Sequence, residues 1–248
     1  MNEWVKLHAA DGQELSAWVA RPEGEPIAGL VVVQEIFGVN AHIRSVADGW
    51  AKDGFLAIAP AIFDRIEPGV ELAYEGADLQ RAMSFIPKLD VEKALLDTGA
   101  AMDYAANATG KKIGVIGYCF GGTVAWLAAT RLGAAAAVGY YGGRIAYYAS
   151  ENPACPVMLH FGRLDTHIPA ADVEKVQAAH PAVEVYWYDA GHGFNCDARA
   201  SYNAVAASEA RKRSLAFLRQ WTGNSSQGSG IRRLRDPAGL LKNLTPDP

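Results

Sequence analysis

The sequence predicts a single α/β domain, a mostly parallel sheet with helices on both faces. Two observations carry this expectation. Four short apolar runs, Leu30–Val33, Ile113–Ile116, Ala134–Val138 and Val157–Leu159, are each bounded by Gly or Pro, as strands buried on both faces tend to be. Helical patterns alternate with such runs along the whole chain, which is the signature of helices packed on both sides of one sheet.

Taken in chain order, Glu14–Ala20 alternates less cleanly than the later runs and reads as an early, antiparallel edge strand. After the run Leu30–Val33, the segment His42–Lys52 reads as a helix, with Gly54 placed to close it before the strand candidate Phe55–Ala59. Asp90 can cap a helix that reaches about Ala106, and Phe120–Arg131 reads as a helix that stops before Gly133. Pro169–Ala179 as helix, Val183–Tyr188 as strand and Ser201–Trp221 as helix complete the set. From Thr222 the composition turns to Gly, Ser, Asn and Gln, followed by the basic Ile231–Arg235 and a terminal Pro246-Asp247-Pro248. This predicts a domain over residues 1–221 and a flexible C-terminal tail over residues 222–248.

Composition narrows the classes of function. With 248 residues, half of them hydrophobic and a fifth charged, the chain can bury one large core. A net charge of −4 argues against nucleic acid or an anionic membrane surface as a partner. The polar start, Met1 to His8, has no apolar run with a small-residue cleavage site, and no stretch is long and apolar enough to span a bilayer. Three cysteines, Cys119, Cys155 and Cys196, form no regular framework, so a reducing compartment, the cytoplasm, is expected.

The strongest chemical signal is Gly117-Tyr118-Cys119-Phe120-Gly121-Gly122, directly after one strand and before an apolar helix. This is the form of a nucleophile elbow with cysteine where serine is usual. A sharp strand-to-helix turn strains the nucleophile's backbone, and side chains two residues either side would collide. The helix opening there leaves backbone N–H groups facing developing negative charge. A buried cysteine in an ordinary Gly-rich turn is the bland alternative, and the spacing of Gly114, Gly117 and Gly121 does not make a dinucleotide fingerprint. Asp165 follows the strand Val157–Phe161, and His192 follows Val183–Tyr188. The order nucleophile, acid, histidine suits this fold, with His192 as base and Asp165 orienting it. A helix cap at Asp165 and a structural loop histidine at His192 are the competing readings. A metal site from His167, His192 and Cys196 lacks any standard zinc spacing, so no metal is expected.

These residues resemble the dienelactone hydrolase (carboxymethylenebutenolidase) family of α/β-hydrolases. The likeness lies in Gln34-Glu35-Ile36-Phe37-Gly38, the Cys119 elbow, Gly139-Tyr140-Tyr141-Gly142, Gly162-Arg163-Leu164-Asp165 and Tyr188-Asp189-Ala190-Gly191-His192-Gly193-Phe194, and it covers about Trp4 to Trp221. The resemblance implies a Cys119 nucleophile, a His192 base oriented by Asp165, and a Glu35 that contacts the resting thiol and controls its ionisation. It implies an oxyanion site from the backbone N–H groups of Phe120 and Ile36, and substrate binding by Arg81, Arg199 and Tyr141. Gly193 stands where members of the family can have serine, and Arg199 lies seven residues beyond His192, a longer spacing than theirs. The implied activity is hydrolysis of small, carboxylate-bearing lactones or esters through a thioester, with no cofactor. Hydrolysis of other esters, thioesters or peptides by the same thiol is the runner-up, and a non-catalytic ligand-binding relative is the third reading.

Overall fold

The computed structural model describes residues 2–223. Its strands are β1 Glu3–His8, β2 Glu14–Ala20, β3 Ala28–Val33, β4 Phe55–Pro60, β5 Ile113–Tyr118, β6 Ala136–Tyr140, β7 Val157–Gly162 and β8 Glu184–Tyr188. They form one sheet in the spatial order β1-β2-β4-β3-β5-β6-β7-β8. Strand β2 runs antiparallel to both neighbours, and every pair from β4 to β8 is parallel. The position expected for Glu14–Ala20 is therefore corrected, because β2 lies inside the sheet and β1 forms the edge. In β1 only Leu7 is fully buried, so this edge strand carries almost no apolar alternation to reveal it.

All residues of β3, β4, β5 and β7 are buried, which explains why these strands read as continuous apolar runs. The helices are α1 Ala41–Lys52, α2 Gly76–Phe85, α3 Val91–Thr109, α4 Phe120–Arg131, α5 Ala170–Ala179 and α6 Ala204–Thr222. Side-chain alternation assigns them to faces. A Cβ on Gly29 would strike Ala105 of α3, whereas one on Gly114, the register partner of the next residue, Leu30, would meet Leu218 and Thr222 of α6. Helix α1 joins α6 through Arg211, which hydrogen-bonds Asp53 at 2.7 Å and stacks 3.4 Å over the Trp50 ring. Helix α3 packs with α4.

Capping fixes the helix starts. Asn40 accepts from the Ile43 N–H at 3.1 Å, and Asp90 accepts from the Glu92 and Lys93 N–H groups at 3.0 and 3.3 Å. Helix α2 has no counterpart in the sequence reading. Only its Ala82 and Phe85 are buried and Glu75 makes no side-chain cap, so neither periodicity nor a cap announces it. It closes a small apolar cluster with Phe37, Phe63, Val70 and Leu72, just past the end of β3. Thr222 ends α6, buried and donating to the Leu218 carbonyl at 2.7 Å, so the helix runs into the first residue of the expected tail. The rest of that tail, residues 224–248, lies outside the described residues.

The chain passes from β3 to β4 on one side and returns past β3 to β5 on the other. Such a reversal opens a crevice at the carboxyl ends of the two strands, the usual place for a site on an open α/β sheet. Glu35 and Cys119 follow those two strand ends.

Candidate active site

Strand β5 ends at Tyr118 and α4 begins at Phe120, which leaves Cys119 alone on the turn. Its φ of 56° and ψ of −116° lie outside the regions that L-residues favour. Strain of this kind costs about 1–3 kcal/mol and persists only where the surroundings over-determine it. Here the Cys119 N–H donates to the Tyr140 carbonyl at 3.0 Å, and the Cys119 carbonyl accepts from the Gly122 N–H at 2.9 Å. The glycines are dictated by backbone approach. A Cβ would lie 1.8 Å from the Gly121 oxygen if placed on Gly117, and 2.3 Å from the Val33 oxygen if placed on Gly121.

The sheet brings the later residues to the same edge. Asp165 sits three residues past β7 and His192 four past β8. The Cys119 Sγ lies 3.2 Å from His192 Nε2, and His192 Nδ1 lies 2.7 Å from Asp165 Oδ2. The other Asp165 oxygen accepts the His167 N–H at 2.7 Å. Asp165 is therefore not the cap of α5, whose N-cap position is Pro169. Both side chains are withdrawn from water, at 1% exposure for Asp165 and 12% for His192. Burial by itself would lower the imidazole, but its hydrogen bonds to Asp165 and Cys119 outweigh burial and raise it to about 10. Asp165 stays below the usual carboxylate range, because the His192 contact outweighs the upward push of burial.

Tyr141 packs against this group, and Glu35 follows the end of the adjacent strand β3. Tyr141 holds a positive φ of 40°, its N–H donates to the His160 carbonyl at 2.8 Å, and its ring packs 5.0 Å from that of His192. Glu35 is 1% exposed, and neither of its carboxylate oxygens has a hydrogen-bond partner. Arg199 Nη1 stands 3.6 Å from Glu35 Oε1, an ion pair without a hydrogen bond. No hydrogen bond joins Glu35 to the thiol, whose sulfur is turned to His192.

The model of the dienelactone hydrolase family matches residues 15–222. The chain belongs to the dienelactone hydrolase family. It is 32% identical over 227 residues to a carboxymethylenebutenolidase of Pseudomonas putida, covering 88% of this chain and 96% of the relative. A candidate carboxymethylenebutenolidase of Synechocystis sp. is 37% identical over 199 residues, covering 73% and 81%. The crystal structure of a candidate dienelactone hydrolase from Klebsiella pneumoniae superposes with a TM-score of 0.78 at 28% identity, covering 89% of this chain and all of that one. The protein is thus a hydrolase of α/β-hydrolase fold, and its family implies a small-molecule substrate. Among the described residues no helix is long and apolar enough to cross a membrane.

Against the residues that the dienelactone hydrolase family suggests, the structure divides the two arginines. Arg199 reaches the site. Its guanidinium lies 5.7 Å over both Phe37 and Tyr74, and its Nη1 stands 2.6 Å from where a Cβ on Gly193 would be. The glycine beside His192 and the late arginine are therefore one feature, since the guanidinium fills the space a side chain at position 193 would take. Arg81 is not brought to these residues. It stands exposed on α2, ion-paired with Glu67, with its guanidinium 5.9 Å over Phe85. Of the two oxyanion candidates, Phe120 opens α4, where its N–H lacks an intrahelical acceptor. Ile36 is half-buried against the cluster around Phe37.

Three neighbours carry no sequence signal for a place beside the Cys119 group or Glu35. The His167 ring meets that of His192 edge-on at 5.2 Å, Tyr74 lies beneath Arg199, and His42 of α1 approaches Glu35. Among the described residues Cys196 groups with Glu35 and His42 rather than with His167 and His192. Only tertiary contact makes these associations, so spacing along the chain cannot reveal them.

Proposed function

We propose that this hydrolase cleaves small lactones or esters through a thioester formed on Cys119. The observation that carries the reading is the continuous Cys119–His192–Asp165 hydrogen-bond chain on a strained elbow. In the proposed cycle His192 Nε2 takes the Cys119 proton, and the thiolate attacks the carbonyl carbon. The N–H groups of Phe120 and Ile36 hold the oxyanion of the tetrahedral intermediate. Its collapse breaks the bond to the leaving oxygen, which receives the proton from His192. Water, deprotonated by His192, then attacks the thioester, and the departing sulfur regains a proton. Asp165 keeps the imidazole in the correct tautomer and stabilises its cationic form, which the elevated His192 value supports.

Glu35 is the proposed control on thiol reactivity. Its buried negative charge disfavours a thiolate nearby, and Arg199 offsets that charge. The part-exposed guanidinium can bind a substrate carboxylate while it still faces Glu35, which is the basis for preferring carboxylate-bearing lactones or esters. With Arg81 paired to Glu67, Arg199 is the proposed carboxylate anchor, and Tyr141 forms the wall beside His192. The three cysteines are all free thiols, which supports the cytoplasm as the compartment.

The test is Cys119→Ala, assayed on an activated aryl ester alongside circular dichroism. Loss of a triad nucleophile should lower kcat by several orders of magnitude in a protein that keeps its fold. A folded variant with wild-type turnover would contradict the proposal.

A further inference from the structure

We propose that Glu35, His42 and Cys196 form a binding site for a zinc-class divalent ion. The three residues come from the end of β3, from α1 and from the turn that follows His192. One donor atom from each lies within 4.8 Å of the other two. Around a single Zn2+, with bonds of about 2.0–2.3 Å, such atoms stand roughly 3–4 Å apart, so movements of about 1 Å at the side-chain tips complete the set. The ligands are seven and 154 residues apart in the chain, far from any zinc spacing, and only the fold assembles them.

Unpartnered groups point the same way. Both Glu35 oxygens and His42 Nε2 are buried with no hydrogen-bond partner, a state that polar groups in protein interiors avoid. His42 Nδ1 stands 3.1 Å from Asp197 Oδ1, a carboxylate that accepts from it, which leaves Nε2 as the ring atom free to meet an ion. That carboxylate–imidazole pairing is the usual outer support of a metal-bound histidine. The charges also close, because Glu35, Asp197 and an ionised Cys196 together match the ion and Arg199. The mixed sulfur, nitrogen and oxygen donors favour zinc over the oxygen-seeking calcium and magnesium.

Binding expels the Cys196 thiol proton to solvent and forms bonds from the ion to sulfur, nitrogen and oxygen. A solvent-open cavity of about 280 Å³, lined by His42, Asn195, Asp197 and Tyr202, gives the ion a way in. The site shares Glu35 with the proposed catalytic group but uses neither Cys119 nor His192. Its failure and that of the thioester mechanism are therefore separable.

The experiment titrates the full-length, chelator-stripped protein with Co2+ and follows thiolate-to-cobalt charge-transfer absorption, with Zn2+ as competitor. One ion per chain is expected, with the band present in the wild type and in Cys119→Ser and lost in Cys196→Ser. Asp197 is exposed, and Asp197→Asn should weaken affinity by roughly 10- to 100-fold. Zn2+ should also raise the Tm of the wild type. No thiolate band in the wild type would overturn the site, as would a band that survives Cys196→Ser and vanishes in Cys119→Ser. Unchanged affinity in Asp197→Asn would overturn it as well, and that variant keeps the question decidable if Cys196→Ser does not fold.

Discussion

At the scale of single residues, the proposed reading puts Arg199 between the buried Glu35 and a substrate carboxylate. Its side chain is 20% exposed, enough to be reached from solvent, while Glu35 behind it is sealed. A guanidinium presents a bidentate fork to carboxylate, and such charge-assisted bonds are worth about 1.5–3 kcal/mol each. Arg199→Ala should therefore lower kcat/KM for a carboxylate-bearing ester by roughly 10- to 100-fold more than for its neutral analogue. Measuring the ratio for a matched pair removes any general loss caused by leaving Glu35 without a counter-ion. Equal effects on both substrates would show that Arg199 does not read the carboxylate. Residues of the Cys119 group were legible in the sequence because local backbone rules place them. Glycines flank a strained elbow, the acid follows a buried strand, and the base follows the half-buried strand at the sheet's far edge. The surroundings of Glu35 were not legible, nor was the pairing of Arg81 with Glu67, because both depend on side chains from elements distant in the chain.

Elements differ in how firmly their ends are tied. Asn40 starts α1 by accepting from the Ile43 N–H, and its amide also donates to the Leu72 carbonyl at 2.9 Å. Asp90 starts α3 with capping bonds alone, at a solvent-exposed position. Asp90→Ala should cost about 1 kcal/mol. Asn40→Ala should cost about 2 kcal/mol or more, since it also leaves a buried carbonyl without its donor. Urea unfolding of the two variants checks the order, and an equal loss would mean that the Leu72 contact contributes nothing. Helix α4 was legible to its ends because its residues from Gly121 to Ala129 are buried and glycines bracket it. Strand β1 and helix α2 were not, because each buries too few side chains to impose a period on the sequence.

Over the whole molecule, pH stability is set by groups that the folded sheet and helices enclose. His160 of β7 is fully buried between the Tyr188 hydroxyl and Ser214 Oγ, each at 2.9 Å. Burial, reinforced by the positive Arg213, lowers it to about 3. Between that value and the ordinary imidazole value near 6.5, the unfolded chain binds a proton that the folded chain refuses. Stability is therefore fully present above about pH 6.5 and falls as the pH drops toward 3. His160→Gln should shrink the loss between neutral pH and about pH 4.5 by on the order of 2 kcal/mol, whatever it costs at neutral pH. An unchanged slope in denaturant unfolding would show that His160 does not govern it. The parallel direction of the central strands was legible from their apolar runs, whereas the interior position of β2 was not, because a strand's neighbours are chosen non-locally. That same sheet aligns the turns after β5, β7 and β8 so that Cys119, Asp165 and His192 meet, which is the arrangement the proposed acyl-enzyme requires. The direct measurement is mass spectrometry of the protein quenched during turnover of an activated ester, with peptide mapping of the adduct. An acyl group on the peptide that contains Cys119, absent in Cys119→Ala, is the predicted result. Turnover with no adduct on Cys119, or with an acyl group on another residue that survives Cys119→Ala, would contradict it.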